Sequence, residues 1–250
     1  MAILTNGFFR SGVYARAYRK LLHSIYVNDL WLDLRLHAKR EAVAYITAHM
    51  SEAMVLPDRN ELARFALARA PKEGLVVEFG VAKGASLRNL ATHTPRQVHG
   101  FDSFGGLPED WAGTKEKAGA FTQKGKLPKV PPNAVLHPGW FDQTLPPFLA
   151  ANPGPAAFIH VDCDIYTSTV TIFTALRERI VPGTIVLFDE YLNYPGWRAH
   201  EYKAFQEFIR DTGLSYEYIG FSAEKGHVAV QIGAPGALRE PQKPSAPGTC

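Results

Sequence analysis

Residues 75–87, LVVEFGVAKGASL, set an apolar run, an acidic residue, two glycines four positions apart and a helix start in immediate succession. Leu75, Val76 and Val77 read as a buried parallel strand ending at Glu78. Gly80 and Gly84 then bracket a turn, and Ser86 and Leu87 open a helix. A chain built on this unit is an α/β protein with a doubly wound, mostly parallel sheet. In such a sheet the first strand-to-helix turn, at the carboxyl edge, receives the adenosine part of a cofactor. The spacing is E-x-G-x-x-x-G, with Ala82 where a dinucleotide fold has its middle glycine. That argues against a pyrophosphate pressed on the backbone.

The rest of the chain divides around this unit. Residues 1–70 read as a helical extension. Tyr14, Tyr18, Leu21, Leu22 and Ile25 recur at helical spacing, a second helix follows from Asp29, and a third follows Pro57 with Asp58 as N-cap and Glu61 as capping-box partner. The apolar arm predicts a homo-oligomer. Residues 71–232 hold the sheet domain, and 233–250, dense in proline and glycine, read as a disordered tail. The net charge of +3 is dispersed and no apolar run is long enough for a bilayer, so neither nucleic acid nor membrane is an expected partner. Cys163 and Cys250 form no disulfide framework and no metal-site spacing, which predicts a reducing, cytoplasmic setting.

Polar residues gather at the predicted strand ends. Asp102 closes the second strand about twenty positions after the glycine turn, where a carboxylate can grip both ribose hydroxyls, with Ser103 beside it. After a long loop, 110–132, read as a lid, a third strand leads to Gly139, Trp140 and Phe141, whose flat faces suit an adenine ring although such aromatics are often core. The fourth strand ends in Asp162 and Asp164, the fifth in Asp189 and Glu190. Parallel neighbours bring these four carboxylates into one crevice, where they repel one another unless a cation or a shared proton intervenes. A hard divalent ion, most simply Mg, answers that crowding, with Asp162, Asp189 and Glu190 as ligands. Asp164 is left to helix capping or to base duty. His227, at a strand edge, reads as a surface residue with catalysis as the lesser alternative.

In order along the chain, VEFGVAKGAS, FDSFGGLPEDW, GWFDQTLP, HVDCDIYTST and FDEY resemble the macrocin O-methyltransferase family of class I S-adenosylmethionine (SAM) methyltransferases. The resemblance implies a Rossmann-like, seven-stranded sheet with the last strand antiparallel, and a SAM-dependent O-methyltransferase acting on a small-molecule hydroxyl of sugar or vicinal-diol type. It also implies that Glu78, Gly80 and Gly84 hold the methionyl half of SAM, that Asp102 holds the ribose, and that Asp162, Asp189 and Glu190 hold the metal. Ser86, Ser103, Gly139, Trp140 and Phe141 complete the expected cofactor contacts. Asp162 or Asp164 would take the proton from the acceptor. The family often has two aspartates where this chain has Asp189 and Glu190. The competing readings are a nicotinamide-dependent oxidoreductase and a non-catalytic SAM-binding scaffold.

Overall fold

A computed structural model describes residues 12–236. Two helices, α1 (Gly12–Asn28) and α2 (Leu30–His49), lead into β1 (Met54–Leu56) and α3 (Arg59–Leu67). The sheet domain continues with β2 (Leu75–Phe79), α4 (Ala85–Thr92), β3 (Val98–Asp102), β4 (Ala134–Pro138), α5 (Phe141–Ala151), β5 (Ala156–Val161), α6 (Tyr166–Ala175), β6 (Ile185–Phe188), α7 (Glu201–Thr212), β7 (Leu214–Ser222) and β8 (Val228–Pro235). Single 3-10 turns at Arg177–Arg179 and Trp197–Ala199 complete the list.

These strands form one eight-stranded sheet in the order β1-β7-β8-β6-β5-β2-β3-β4. Only β8 runs antiparallel to its neighbours, β6 and β7. From β2 the chain winds outward through β3 and β4, then returns to β5 on the other side of β2 and winds the opposite way through β6. The switch point therefore lies between β2 and β5, and the loops leaving their carboxyl ends part to make a crevice there.

Seven of the eight strands are those the sequence predicts. The eighth, β1, pairs Met54, Val55 and Leu56 with Gly220, Phe221 and Ser222 at the sheet edge, and three residues are too few to show a period. Strand β8 continues beyond Gly233 to Pro235, pairing Ser215 with Gly233 and Leu214 with Pro235, so the segment expected as a tail begins inside the sheet. Residues 1–11 and 237–250 of the expected arm and tail lie outside the described residues. The helix α5 was also not foreseen. It starts at Phe141 and carries Pro146 and Pro147, each of which removes a helical N–H donor and so masks the pattern.

Helices cover both faces. On one, Leu145, Phe148, Ile172, Phe173, Phe205 and Phe208 pack against Phe79, Val161, Val186 and Phe188, and α2 adds Ala38, Ala42 and Tyr45. Tyr45 anchors α2 with a 2.6 Å hydroxyl contact to Tyr218. On the other face α3 and α4 bury Leu62, Ala66, Leu87 and Leu90 against Val76, Phe158, Ile185 and Leu187. Asp58 caps α3 as expected, accepting from the N–H groups of Asn60 and Glu61 at 2.8 and 3.0 Å. The Glu61 side chain pairs with Arg64 rather than completing a capping box.

Candidate active site

Gly80 sits at φ +95°, and a Cβ there would lie 1.6 Å from the carbonyl oxygen of Asp162. The turn after β2 thus presses on the chain leaving β5, and only glycine permits that approach. The adjacent Val81 and Ala82 N–H groups donate to Asp102 Oδ2 at 2.9 and 2.7 Å, and Phe104 N–H donates to Oδ1 at 2.6 Å. Asp102 therefore shapes the turn besides facing the cleft. Glu78 differs from expectation: it is fully buried beneath the turn, accepting from Ser86 Oγ at 2.9 Å and meeting His160 Nδ1 at 3.0 Å.

A cleft of about 920 Å³ opens above the switch point. Of the expected cofactor contacts, Gly80, Ser86, Asp102, Ser103, Trp140 and Phe141 line it, whereas Glu78, Gly84 and Gly139 do not. Trp140 is 41% exposed, a free aromatic face at the rim. Phe141 packs edge-on against Phe79, with ring centroids 5.3 Å apart, so it belongs as much to the core as to the cleft. The loop expected as a lid borders the same space through Trp111, Phe121, Thr122 and Gln123. It is pinned to the segment before α7 by His200, whose Nε2 donates to the Ala112 carbonyl at 2.9 Å, and by Gly113, which abuts Pro195.

Asp162, Asp164, Asp189 and Glu190 all line the cleft, as their strand-end positions predict. Burial, then Asp189, Asp164, Glu78 and Glu201, push the Asp162 carboxyl well above the ordinary range. Burial is also the first cause for Asp164, raised to about 7 with Asp189 next, and for Glu190, raised to about 8 with Asp189 and then Asp164 next. Asp164 has φ 68°, a left-handed conformation that side chains seldom adopt. It does not cap α6, whose N-cap position is Ile165 and which has no side-chain cap.

Three residues that the sequence left unread or misread stand close by. Glu201, fully buried at the start of α7, accepts from the Glu190 N–H at 3.2 Å through Oε2. His160 is 4% exposed within β5. His227, expected at the surface, is 3% exposed with Nε2 3.4 Å from Asp189 Oδ1. Among the described residues, His160, Asp162 and Asp189 each offer a ligand atom, all within 4.8 Å of one another. Glu190 is not in that group. A nitrogen and carboxylate oxygens at such spacing fit a divalent cation, and the raised Asp162 carboxyl reflects the negative charge that a cation would offset.

Residues 77–191 match the family model described as a methyltransferase domain. The 8-demethyl-8-(2,3-dimethoxy-alpha-L-rhamnosyl)-tetracenomycin-C 4'-O-methyltransferase of Streptomyces olivaceus is 33% identical over 141 residues, 47% of this chain and 53% of that protein. The chain thus spans about half the length of the curated relative it matches. Among solved structures, the calicheamicin methyltransferase CalS11 aligns with a TM-score of 0.55 at 22% identity over 88% of this chain and 93% of that one. The O-methyltransferase NovP aligns with a TM-score of 0.50 at 24% identity over 69% and 78%. With the sheet order and the glycine turn at the switch point, these likenesses make the fold that of the Rossmann-like class I methyltransferases.

Proposed function

We propose that the protein is a SAM-dependent O-methyltransferase that methylates a hydroxyl of a small-molecule acceptor, a sugar or vicinal diol of natural-product type. The observation that carries this reading is the single cleft that joins the glycine turn, Asp102 and Trp140 at one end to four carboxylates at the other. The relative from S. olivaceus, named as a 4'-O-methyltransferase of a rhamnosyl tetracenomycin, supports a sugar hydroxyl as acceptor.

SAM would lie along the turn from Gly80 to Ser86, its adenine against Trp140 and its ribose at Asp102 and Ser103. The Asp102 carboxylate already accepts three backbone N–H groups. Of its roughly four lone-pair sites one remains, enough for one ribose hydroxyl rather than a bidentate grip. The sulfonium methyl is activated before it binds, so the residues around it have two tasks: to align the acceptor oxygen behind the methyl carbon and to receive its proton. Asp164 suits the second task. With its carboxyl near 7 it is partly ionised at neutral pH and still basic enough to accept a hydroxyl proton as the O–C bond forms. The tightly grouped His160, Asp162 and Asp189 would hold a metal ion, which when bound lowers the pKa of a nearby hydroxyl. Trp111 and Phe121 in the flanking loop would keep water from the reacting atoms.

The test is calorimetric titration with S-adenosylhomocysteine and, separately, NAD, followed by an acceptor screen in which methyl transfer is read by mass spectrometry. Binding of the homocysteine nucleoside alone, with a methylated sugar or diol product, is the expected result. Folded protein that binds neither nucleotide would overturn the reading.

A further inference from the structure

The register of the sheet, rather than a chance gathering of surface acids, brings the metal-binding group together. Glu78 in β2 lies directly beside His160 in β5, and His160 beside Leu187 in β6. Side chains alternate along a strand, so Asp162, two residues past His160, and Asp189, two past Leu187, continue on the same face as Glu78 and His160. Two carboxylates that line the cleft therefore meet an imidazole buried just beneath them, beside a buried glutamate. Sequence reading passed His160 over as one residue of an apolar strand.

The hydrogen bonding gives the imidazole a direction. Glu78 Oε2 lies 3.0 Å from His160 Nδ1, which places a proton on Nδ1, so that in the neutral imidazole Nε2 carries the lone pair. That nitrogen faces Asp189 Oδ1 at 3.9 Å, too far for a hydrogen bond. A lone pair facing a carboxylate is an arrangement that a cation between them stabilises. A buried carboxylate that receives the far N–H of an imidazole is also the usual support behind a metal-bound histidine.

His227 bears on Asp189, one member of the group, independently. It is 3% exposed, neither ring nitrogen has a hydrogen-bond partner, and Nε2 lies 3.4 Å from Asp189 Oδ1. A buried polar ring left in this way is costly unless a further group meets it. A cavity of about 10 Å³ beside Asp189, room for about one water, is lined by His160, His227 and Arg59 but not by Asp162. Arg59 approaches Asp189 Oδ2 at 3.7 Å, whereas the two histidines face Oδ1.

We propose that His160 is a metal ligand alongside Asp162 and Asp189, with Glu78 as its positioning residue, and that the site therefore selects a divalent transition metal over Mg. This deepens the methyltransferase reading and rests on it for the ion's use, not for its binding. The chemistry follows from the donor set. Mg favours a shell of oxygens, whereas imidazole suits ions later in the first transition row, whose affinity for such sites rises from Mn through Co towards Zn. Glu190, the expected third ligand, is replaced by His160, and its main-chain N–H is held by Glu201 instead.

The experiment uses the full chain without a histidine tag, stripped by a chelator, and titrated with Mg, Mn and Co ions in separate calorimetric runs without SAM. Co is expected to bind at least about 100-fold more tightly than Mg, with Mn between them. Cobalt-loaded protein is expected to show a paramagnetically shifted, exchangeable imidazole N–H resonance from the proton that His160 shares with Glu78. This second readout requires no variant. His160→Gln is expected to weaken Co binding about 10- to 100-fold with little change for Mg, and Glu78→Gln to weaken it about 10-fold and remove the shifted resonance. Circular dichroism on each variant confirms that it is folded.

Equal affinities for Co and Mg, or Co binding without a shifted imidazole resonance, would show a site of oxygen ligands alone and overturn the proposal. Failure of every ion to bind would overturn it as well. S-adenosylhomocysteine titrated into the same samples separates the two ideas: if it binds where no metal does, the methyltransferase reading stands and the ligand assignment falls.

Discussion

The two ends of the cleft are built on opposite electrostatic plans. At the glycine-turn end the charged groups are satisfied by the protein itself. Asp102 accepts three backbone N–H groups, and Glu78 is divided between Ser86 and His160. At the other end Asp162, Asp164, Glu190 and Glu201 lie among one another's charges with few donors, and burial and mutual repulsion raise all four carboxyls. A self-satisfied end is rigid before any ligand arrives, as suits a cofactor that is the same in every turnover. The strained end stores unfavourable charge that a cation, a proton or a donor hydroxyl relieves, so it is the end where chemistry is driven.

The comparison breaks most completely at Gly80, where the two ends touch. In Gly80→Ala the new Cβ meets the Asp162 carbonyl and the residue is held at φ +95°. A loss on the order of 3–5 kcal/mol in chemical denaturation is expected, together with loss of S-adenosylhomocysteine binding. A variant of near native stability would show that the turn is softer than its packing implies.

Asp164→Asn separates the ends instead of breaking both. It removes the carboxylate that accepts the proton and leaves the turn untouched, so turnover should drop by about 10²–10³-fold with cofactor affinity within about threefold. Turnover in wild-type protein without added metal should rise with pH through about 7 as Asp164 ionises, and a cation at Asp189 should move that rise to lower pH. A profile flat from pH 6 to pH 8 would move the base elsewhere. Asp102→Ala acts in the opposite sense. It strands the Val81, Ala82 and Phe104 N–H groups, and S-adenosylhomocysteine affinity should weaken by about 10- to 100-fold. With saturating SAM, turnover should remain within a fewfold, which calorimetry and steady-state kinetics on the same sample would check.

How much of this was legible in sequence differs between the ends for physical reasons. Residues that close a strand announce themselves, because an acidic residue after an apolar run can lie only at its exit; Asp102, Asp162, Asp164, Asp189 and Glu190 were readable that way. His160 and Glu78 were harder, since both lie within strands as defined and their meeting depends on the pairing of β2 with β5. The signal was present as spacing: His160 is two residues before Asp162, hence on the same face. Glu201 and His227 carry no such mark. Glu201 reads as a first-turn helix acid, normally solvated, and its burial arises from the way the segment after β6 folds back over the carboxylates. Gly84, expected from the glycine motif, and Gly139, expected from the turn before Trp140, are not among the residues that line the cleft.

The smallest effect, and a sensitive one, is the pH dependence of stability in metal-free protein. Asp164 and Glu190 move up from ordinary carboxylate values of 3.8 and 4.5 to about 7 and about 8 on folding, so across that range the native state holds protons that the unfolded chain has released. Their contribution is fully present below the unfolded values and is lost as pH rises through the folded ones, so stability should fall with rising pH. His99, against His137 beneath α5, works the other way. Burial lowers it to about 4 from 6.5, so the unfolded chain takes up the proton first and stability rises with pH between those values. The two trends oppose each other below pH 6.5. Above it His99 is neutral in both states and the cleft carboxylates act alone. Urea unfolding with a chelator present should therefore show a loss on the order of 2–3 kcal/mol between pH 6.5 and pH 8. The double variant Asp164→Asn, Glu190→Gln should reduce that slope, leaving the share of Asp162 and Glu201, and keep the His99 limb intact. An equal slope in the variant would mean that the charge strain resides in Asp162 and Glu201, deeper in the same end of the cleft.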